Sequence, residues 1–173
     1  MEFKFETAYD QAAVTIMARA LRKTVRKKRN RRSHVFGIIV IVLALLLTLP
    51  LGNEAFILDF RTVFTWIICA VILLTLLFED TVNAYIARKR MLPGMEKADV
   101  VFRPDSYCSE TAVGKSEFKY NNIVSLAESD DYFIFVFSQS HAQIYDKKSI
   151  SGGTVEEFRE FITGVTGNKI EHI

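Results

Sequence analysis

With 173 residues the chain has room for one ordinary domain and something small beside it. Half of its residues are apolar, an ordinary share, but they concentrate in two blocks, 35–51 and 63–78, and the remainder is polar and charged. A formal net charge of +2 hides a basic cluster at 19–32 set against acidic residues in the C-terminal half, and two cysteines, Cys69 and Cys108, make no disulfide framework and fit a reducing, cytosolic face.

Residues 2–6, EFKFE, alternate polar and aromatic side chains as a half-buried strand does. Thr7 then offers a helix cap with Asp10 three residues on, and Val14, Met17, Leu21 and Val25 recur at helical spacing, so the pattern predicts a helix over 8–29. Its apolar stripe and basic face fit two placements: packed on the protein's own domain, or lying in a membrane surface. Within segment 1–33, nine cations precede the first apolar block: Arg19, Arg22, Lys23, Arg26, Lys27, Lys28, Arg29, Arg31 and Arg32. A nucleic-acid arm would need such charges free to reach phosphates. Beside a membrane span, attraction to anionic headgroups, about 1 kcal/mol per residue near the surface, accounts for them. They are therefore expected to touch the membrane surface, with no nucleic-acid partner.

Residues 34–51 read as a first transmembrane helix and 63–78 as a second. The first block holds 17 residues without a charge; the second holds 16, or 19 if it starts at Phe60 and Arg61 snorkels to the headgroups. Crossing a hydrocarbon core of about 30 Å takes roughly 17 to 25 helical residues, and neither block keeps the polar face of a soluble helix. The connection GNEAFILDFRT, 52–62, is too short for a domain, so the two helices form a hairpin around an external loop. Cations before the first span and Arg88, Lys89 and Arg90 after the second, against Arg61 alone in the loop, place both termini in the cytoplasm. Phe64 and Trp66 suit an interfacial aromatic belt. Glu79 and Asp80, at the inner end of the second span, are placed to pair with the basic run and fix the hairpin. No ionisable group lies at mid-span, which argues against conduction.

EDTVNAYIARKRM continues as a helical linker within 79–97, until Pro93-Gly94 stops it. Strands are then predicted at 100–103, 107–113, 116–120, 123–128, 132–137 and 142–146, with Pro104-Asp105, Gly114-Lys115, Asn121-Asn122, SDD and SQSH between them. YFIFVF is apolar on both faces and reads as the central, most buried strand. After Gly152-Gly153, TVEE is a capping box; Phe158, Phe161, Ile162 and Val165 share one helix face, and Gly167 is a natural stop. If EFKFE pairs with this C-terminal sheet as a seventh strand, the hairpin is an insertion within one split domain.

The stretch SEFKYNNIVSLAESDDYFIFVFSQSHAQIYDKKSISGGTVEEFREFIT resembles the C-terminal domain of the YcxB-like family of bacterial membrane proteins. The resemblance is carried by a polar-aromatic strand at 118–120, Ile123, the acidic turn Asp130-Asp131 before Tyr132, a strand from Ile144 running into Lys147, and Glu156-Glu157-Phe158. Asp146 stands where the family usually has Pro. Family members are also similar in having an N-terminal strand and helix followed by paired membrane spans. The resemblance implies a fold rather than a reaction, one similar in outline to small pleckstrin-homology-like domains.

No P-loop, dinucleotide glycine pattern, Cys-x-x-Cys or His-Glu-x-x-His is present in the sequence, and the three histidines, His34, His141 and His172, lie far apart in it. No catalytic residue, metal or cofactor is expected. Lys115, Lys119, Lys147 and Lys148 read either as solvated lysines at strand ends or as one face binding an anionic headgroup or acidic partner. The expectation is thus an α+β membrane protein: a two-helix transmembrane hairpin in the cell membrane, plus a small cytoplasmic pleckstrin-homology-like β-domain over 98–173, closed by a C-terminal helix. Its partners are the lipid bilayer and a protein, with a homo-oligomer as one option. The functional expectation is a non-enzymatic binding or regulatory protein, the alternative being an accessory, self-protection role exerted through the hairpin.

Overall fold

The structure is a computed structural model that describes residues 2–49 and 58–173; most of the expected external loop, and the end of the expected first span, lie outside these residues. Strands β1 (Phe3–Ala8), β2 (Lys97–Phe102), β3 (Ser106–Thr111) and β4 (Gly114–Lys119) form an antiparallel sheet in that order. A second sheet is built from β5 (Ser125–Glu128), β6 (Tyr132–Val136), β7 (Ala142–Asp146) and β8 (Ile170–His172), in the order β7-β6-β5-β8, with β8 parallel to β5. Among the described residues, four helices lie between β1 and β2: α1 (Gln11–Lys23), α2 (Lys27–Leu46), α3 (Phe60–Leu77) and α4 (Glu79–Lys89). The fifth, α5 (Val155–Thr166), closes the space between the sheets.

The N-terminal strand does pair with the C-terminal sheet. Alternation buries Phe3, Phe5 and Thr7 and exposes Lys4 and Glu6, and β1 runs beside β2 from Phe3 opposite Phe102 to Ala8 opposite Lys97. Its other edge adjoins the second sheet: the Asp146 N–H donates to Thr7 Oγ1 at 3.2 Å, and Lys4 and Ser151 exchange two backbone bonds of 2.9 Å. Gly152 makes this approach possible. Its φ is 89°, and a Cβ there would collide with the Glu2 carbonyl oxygen.

Between the sheets lies an aromatic core. Phe158 of α5 meets Phe5, Phe102 and Phe133 edge-on at ring-centroid separations of 4.7, 4.9 and 5.1 Å. Burying such a side chain contributes about 1.5 to 3 kcal/mol. Strand β6 is interior to its sheet and buried on both faces, as YFIFVF implies: Phe133 and Phe135 enter the aromatic core, while Ile134 and Val136 pack under α1 against Ala13, Ala20 and Leu21. Helix α5 has the capping box read from TVEE and ends at Gly167 with φ 68°.

Several expectations are corrected. Thr7 does not cap the first helix but lies in β1, and Asp10 is the cap, accepting from the Ala13 N–H at 2.7 Å. The helix expected over 8–29 breaks at 24–26, where Thr24 Oγ1 donates to the Ala20 carbonyl at 2.7 Å. Gly114 opens β4 instead of ending β3, and Tyr120–Asn122 is a turn of 3-10 helix. Strand β8 has no counterpart among the predicted strands.

Candidate functional site: a basic collar at the base of two apolar helices

Helices α2 and α3 pack side by side in opposite directions. Gly37 admits Leu76, since a Cβ there would lie 2.9 Å from Leu76 Cδ1, and the Trp66 indole donates to Thr48 Oγ1 at 3.3 Å near the other end. By length and composition, α3 is the one described helix long and apolar enough to cross a membrane, with a mean hydropathy of 2.2. Helix α2 begins earlier than the expected span, at Lys27, so its first turns are cationic and its apolar part follows Ser33. From there its large side chains face outward; Phe36, Ile38, Ile39, Leu43 and Leu46 are all more than half or about half exposed.

The break at 24–26 divides the nine cations read from the sequence. Arg19, Arg22 and Lys23 end α1, Arg26 lies in the turn, and Lys27, Lys28, Arg29, Arg31 and Arg32 surround the first turns of α2. Since α1 turns its apolar stripe onto the second sheet, the domain-packed placement holds for that helix. Arg22 makes a bidentate pair with Asp80, both bonds at 2.7 Å, and Arg19 approaches the same carboxylate at 3.8 Å. The hydrogen bond and charge of Asp80 hold the Arg22 guanidinium above its usual range, against the opposing effect of burial. Arg26 donates to the Gln139 carbonyl in the β6–β7 turn. Lys23, Lys27, Lys28, Arg29, Arg31 and Arg32 are exposed and make no ion pair among the described residues. They form a collar just before the apolar surface begins.

Of the acidic pair, Asp80 meets the basic run as its position suggested, whereas Glu79 meets other groups on α2. Glu79 lies 2.8 Å from His34 Nε2, and the Asn30 amide, turned to donate, reaches both Glu79 oxygens at 2.7 Å. Glu79 and Asp80 open α4 immediately after the break at Phe78, so both helical connections change direction at one level and are tied together there.

Of the two readings left open for the four lysines, the geometry does not give the shared face. Lys115 and Lys119 project from β4, the outer edge of the first sheet, with Lys115 3.5 Å from Glu110. Lys147 and Lys148 lie in a 3-10 turn beside β1, at the opposite edge. Lys148 pairs with Asp131 at the surface, at 2.7 Å. Lys147 is turned inward: its Nζ is 2.6 Å from Glu128 Oε1, donates to the Ser129 carbonyl at 2.6 Å, and stands 5.0 Å over the Phe133 ring. Arg159 of α5 completes a three-way clamp, with bonds of 3.0 and 2.7 Å to Glu128. Burial alone raises the Glu128 carboxyl, but the hydrogen bonds from Arg159 and Lys147, with their charges, more than offset this and hold it below the usual carboxylate range. Sequence reading missed Glu128 and Arg159. The signal was an ionisable residue at the end of a strand otherwise set for burial, which needs a partner.

Among the described residues no three His, Cys, Asp or Glu side chains converge as a metal would require. Residues 102–162 match the family model described as YcxB-like protein. This segment is a YcxB-like domain. The match begins on the last residue of β2 and ends within α5, so it covers the Glu128 clamp and most of the inter-sheet core, but not Phe3 and Phe5 of β1, the rest of β2, or the helices described between them. No curated protein and no solved structure matches the chain. The YcxB-like domain is therefore completed by a strand, β1, that lies outside the matched segment.

Proposed function

We propose that the chain is a membrane-anchored, non-enzymatic binding or regulatory protein. In this reading α2 and α3 form a transmembrane hairpin, both chain ends lie in the cytoplasm, and a domain of pleckstrin-homology-like outline is held at the membrane surface for a protein partner, a second copy of the chain being one candidate. The observation that carries it is the collar: six exposed cations, without an ion pair among the described residues, encircle the chain where polar surface gives way to outward-facing apolar side chains on two adjacent helices. Anionic headgroups complement such a ring, and the same charge bias orients a hairpin. Helix α3, at 18 residues and about 1.5 Å per residue, spans about 27 Å, close to a hydrocarbon core. The apolar part of α2 reaches the same depth only with residues past Leu46.

Topology is tested with an impermeant maleimide on intact cells, using a Cys69→Ala, Cys108→Ala background. A cysteine introduced at Lys115 is expected to react only after permeabilisation, and one within 52–57 to react from outside. Labelling of the Lys115→Cys variant in intact cells would sink the proposal. Affinity capture of the full chain in mild detergent, against an unrelated two-span protein, then tests the binding role: a reproducibly enriched partner is expected, and repeated failure to enrich one removes it.

A further inference from the structure

The inner face of the first sheet changes character along its length. On β3 it reads Tyr107, Ser109, Thr111, and on β4 Phe118, Ser116, Gly114, so large rings give way to small side chains toward the hairpin end. Side chains of that size cannot fill the gap between two sheets, which pack about 10 Å apart. The result is a cavity of about 360 Å³ walled by Met17 of α1 and by Met91 and Met95 of the segment after α4. Three of the chain's four methionines thus meet at one place. Such thioether side chains adapt their shape to what they touch.

One buried polar group is aimed into this space. Gln143 of β7 is only 9% exposed, and the hydroxyls of Tyr107 and Tyr145 both donate to its Oε1, at 2.8 and 2.6 Å. Both lengths suit a hydroxyl donating to an amide oxygen, and the acceptor end of the amide faces the tyrosines. Gln143 lines the cavity and its two tyrosine partners do not, so the Nε2 end is the one presented to it. That N–H pair has no protein acceptor among the described residues. The Ser109 and Ser116 hydroxyls, opposite each other across β3 and β4, face the same space. The lining contains no Asp, Glu, Lys or Arg, and its one imidazole, His141, is exposed.

We infer that this cavity is a binding site for a neutral, largely apolar small molecule that presents an acceptor oxygen, such as a carbonyl, to the Gln143 amide. The size falls within the range of small-molecule sites, about 300 to 1,000 Å³. A wall without carboxylate, ammonium or guanidinium groups disfavours ions, because desolvating them there meets no fixed counter-charge from those groups. The two tyrosine hydroxyls hold the amide in place before the ligand arrives, so its donors need no reorientation on binding. Nothing in this site depends on the membrane reading, since every lining residue lies outside α2 and α3.

The test uses the full chain in nanodiscs with 13C-labelled methionine methyl groups. Benzophenone and diphenylmethane serve as probes, being alike in skeleton but differing in the carbonyl. Benzophenone is expected to shift the Met17, Met91 and Met95 methyl signals together and saturably. Diphenylmethane should bind about fivefold more weakly, the worth of one neutral hydrogen bond. Gln143→Glu keeps an acceptor for both tyrosine hydroxyls while removing the N–H pair, and should abolish that preference. Ser109→Phe should block both probes by filling the space. Shifts that never saturate, or equal affinity for the two probes on the unaltered chain, overturn the proposal without reference to any variant.

Discussion

Removing the Glu128 carboxylate isolates the contribution of the clamp between β5, α5 and the turn after β7. Glu128→Ala leaves Lys147, whose side chain is 14% exposed, and Arg159, at 36%, without their common counter-ion. Breaking a buried pair costs about 3 to 5 kcal/mol, whereas exposed pairs are worth about 0.2 to 1 kcal/mol. Arg159 is exposed enough that its share falls toward the lower range, and Lys147 keeps the carbonyls of Ser129 and Asp130. The expected loss is therefore about 3 kcal/mol, a substantial part of the roughly 5 to 15 kcal/mol that holds an ordinary domain together. In amide hydrogen exchange on the full chain in nanodiscs, α5 amides should exchange on the order of 100-fold faster. The pH dependence has a definite sign. Because the folded carboxyl titrates below its unfolded value of about 4.3, its contribution is fully present above that value and is lost as pH falls through the folded one. After correction for intrinsic exchange, α5 protection in the unaltered chain should drop across that acid window, and in Glu128→Gln the drop should be smaller. An acceleration below about fivefold in Glu128→Ala, or identical acid profiles for the two chains, would refute the reasoning.

Two glycines should respond in opposite directions. Gly152→Ala meets the Glu2 carbonyl at a positive φ and should cost about 2 kcal/mol, read as faster exchange in β1; Gly164→Ala, in the interior of α5 with open space around it, should stabilise by about 0.5 to 1 kcal/mol. A double-mutant cycle of Arg22→Met with Asp80→Asn should give a coupling of about 1 kcal/mol, measured as exchange in α1 and α4, and none if the pair is ornamental. Deleting residues 2–6 removes Phe3 and Phe5 from the core, at about 3 to 5 kcal/mol each. Limited proteolysis should then cut within 97–173, and a protease-resistant domain there would show that β1 is dispensable.

Much of the domain was legible because its signals are local. Strand periodicity, the TVEE capping box and the Gly167 stop depend only on near neighbours, and alternation in five residues raised the hypothesis that the N-terminal strand joins the C-terminal sheet, without naming β2 as its neighbour. The break at 24–26 carries no Gly or Pro. It arises because α1 must lie on the second sheet while α2 departs from the domain, a requirement that appears only in three dimensions. Strand β8 is three residues long and pairs with a strand far away in sequence, so no window could show it. Of the candidate site, the cations and their acidic partners were visible, but which cations stay free was not. Arg22 and Lys23 are neighbours on one helix, yet Arg22 meets Asp80 while Lys23 stays exposed. Likewise Lys147 turns inward to Glu128 while its neighbour Lys148 remains at the surface. Such pairs differ only in what folds against them.

Under the proposed membrane-anchored reading, the place of the helices in the chain bears on how the domain would be held. They are inserted between β1 and β2, adjacent strands of one sheet, and Tyr9 N–H bonds to the Glu96 carbonyl at 2.8 Å where the two connections re-enter the domain. A domain hung from a single flexible linker would sample many orientations, and its tether would raise only local concentration. Here two connections leave together, α1 is packed on the second sheet, and Arg22–Asp80 and His34–Glu79 bind both at the level of the collar. Orientation is therefore fixed along with distance. A change in the angle between α2 and α3 must be taken up at that level, where Asp80 and Glu79 each hold a group from the opposite connection. Severing Asp80 while leaving the collar intact should free the domain's orientation without releasing it from the membrane, a separation that fluorescence anisotropy of a label at Lys115 and membrane sedimentation would read independently. Equal anisotropy in the unaltered chain and in Asp80→Asn would show that the ion pairs do not set the orientation.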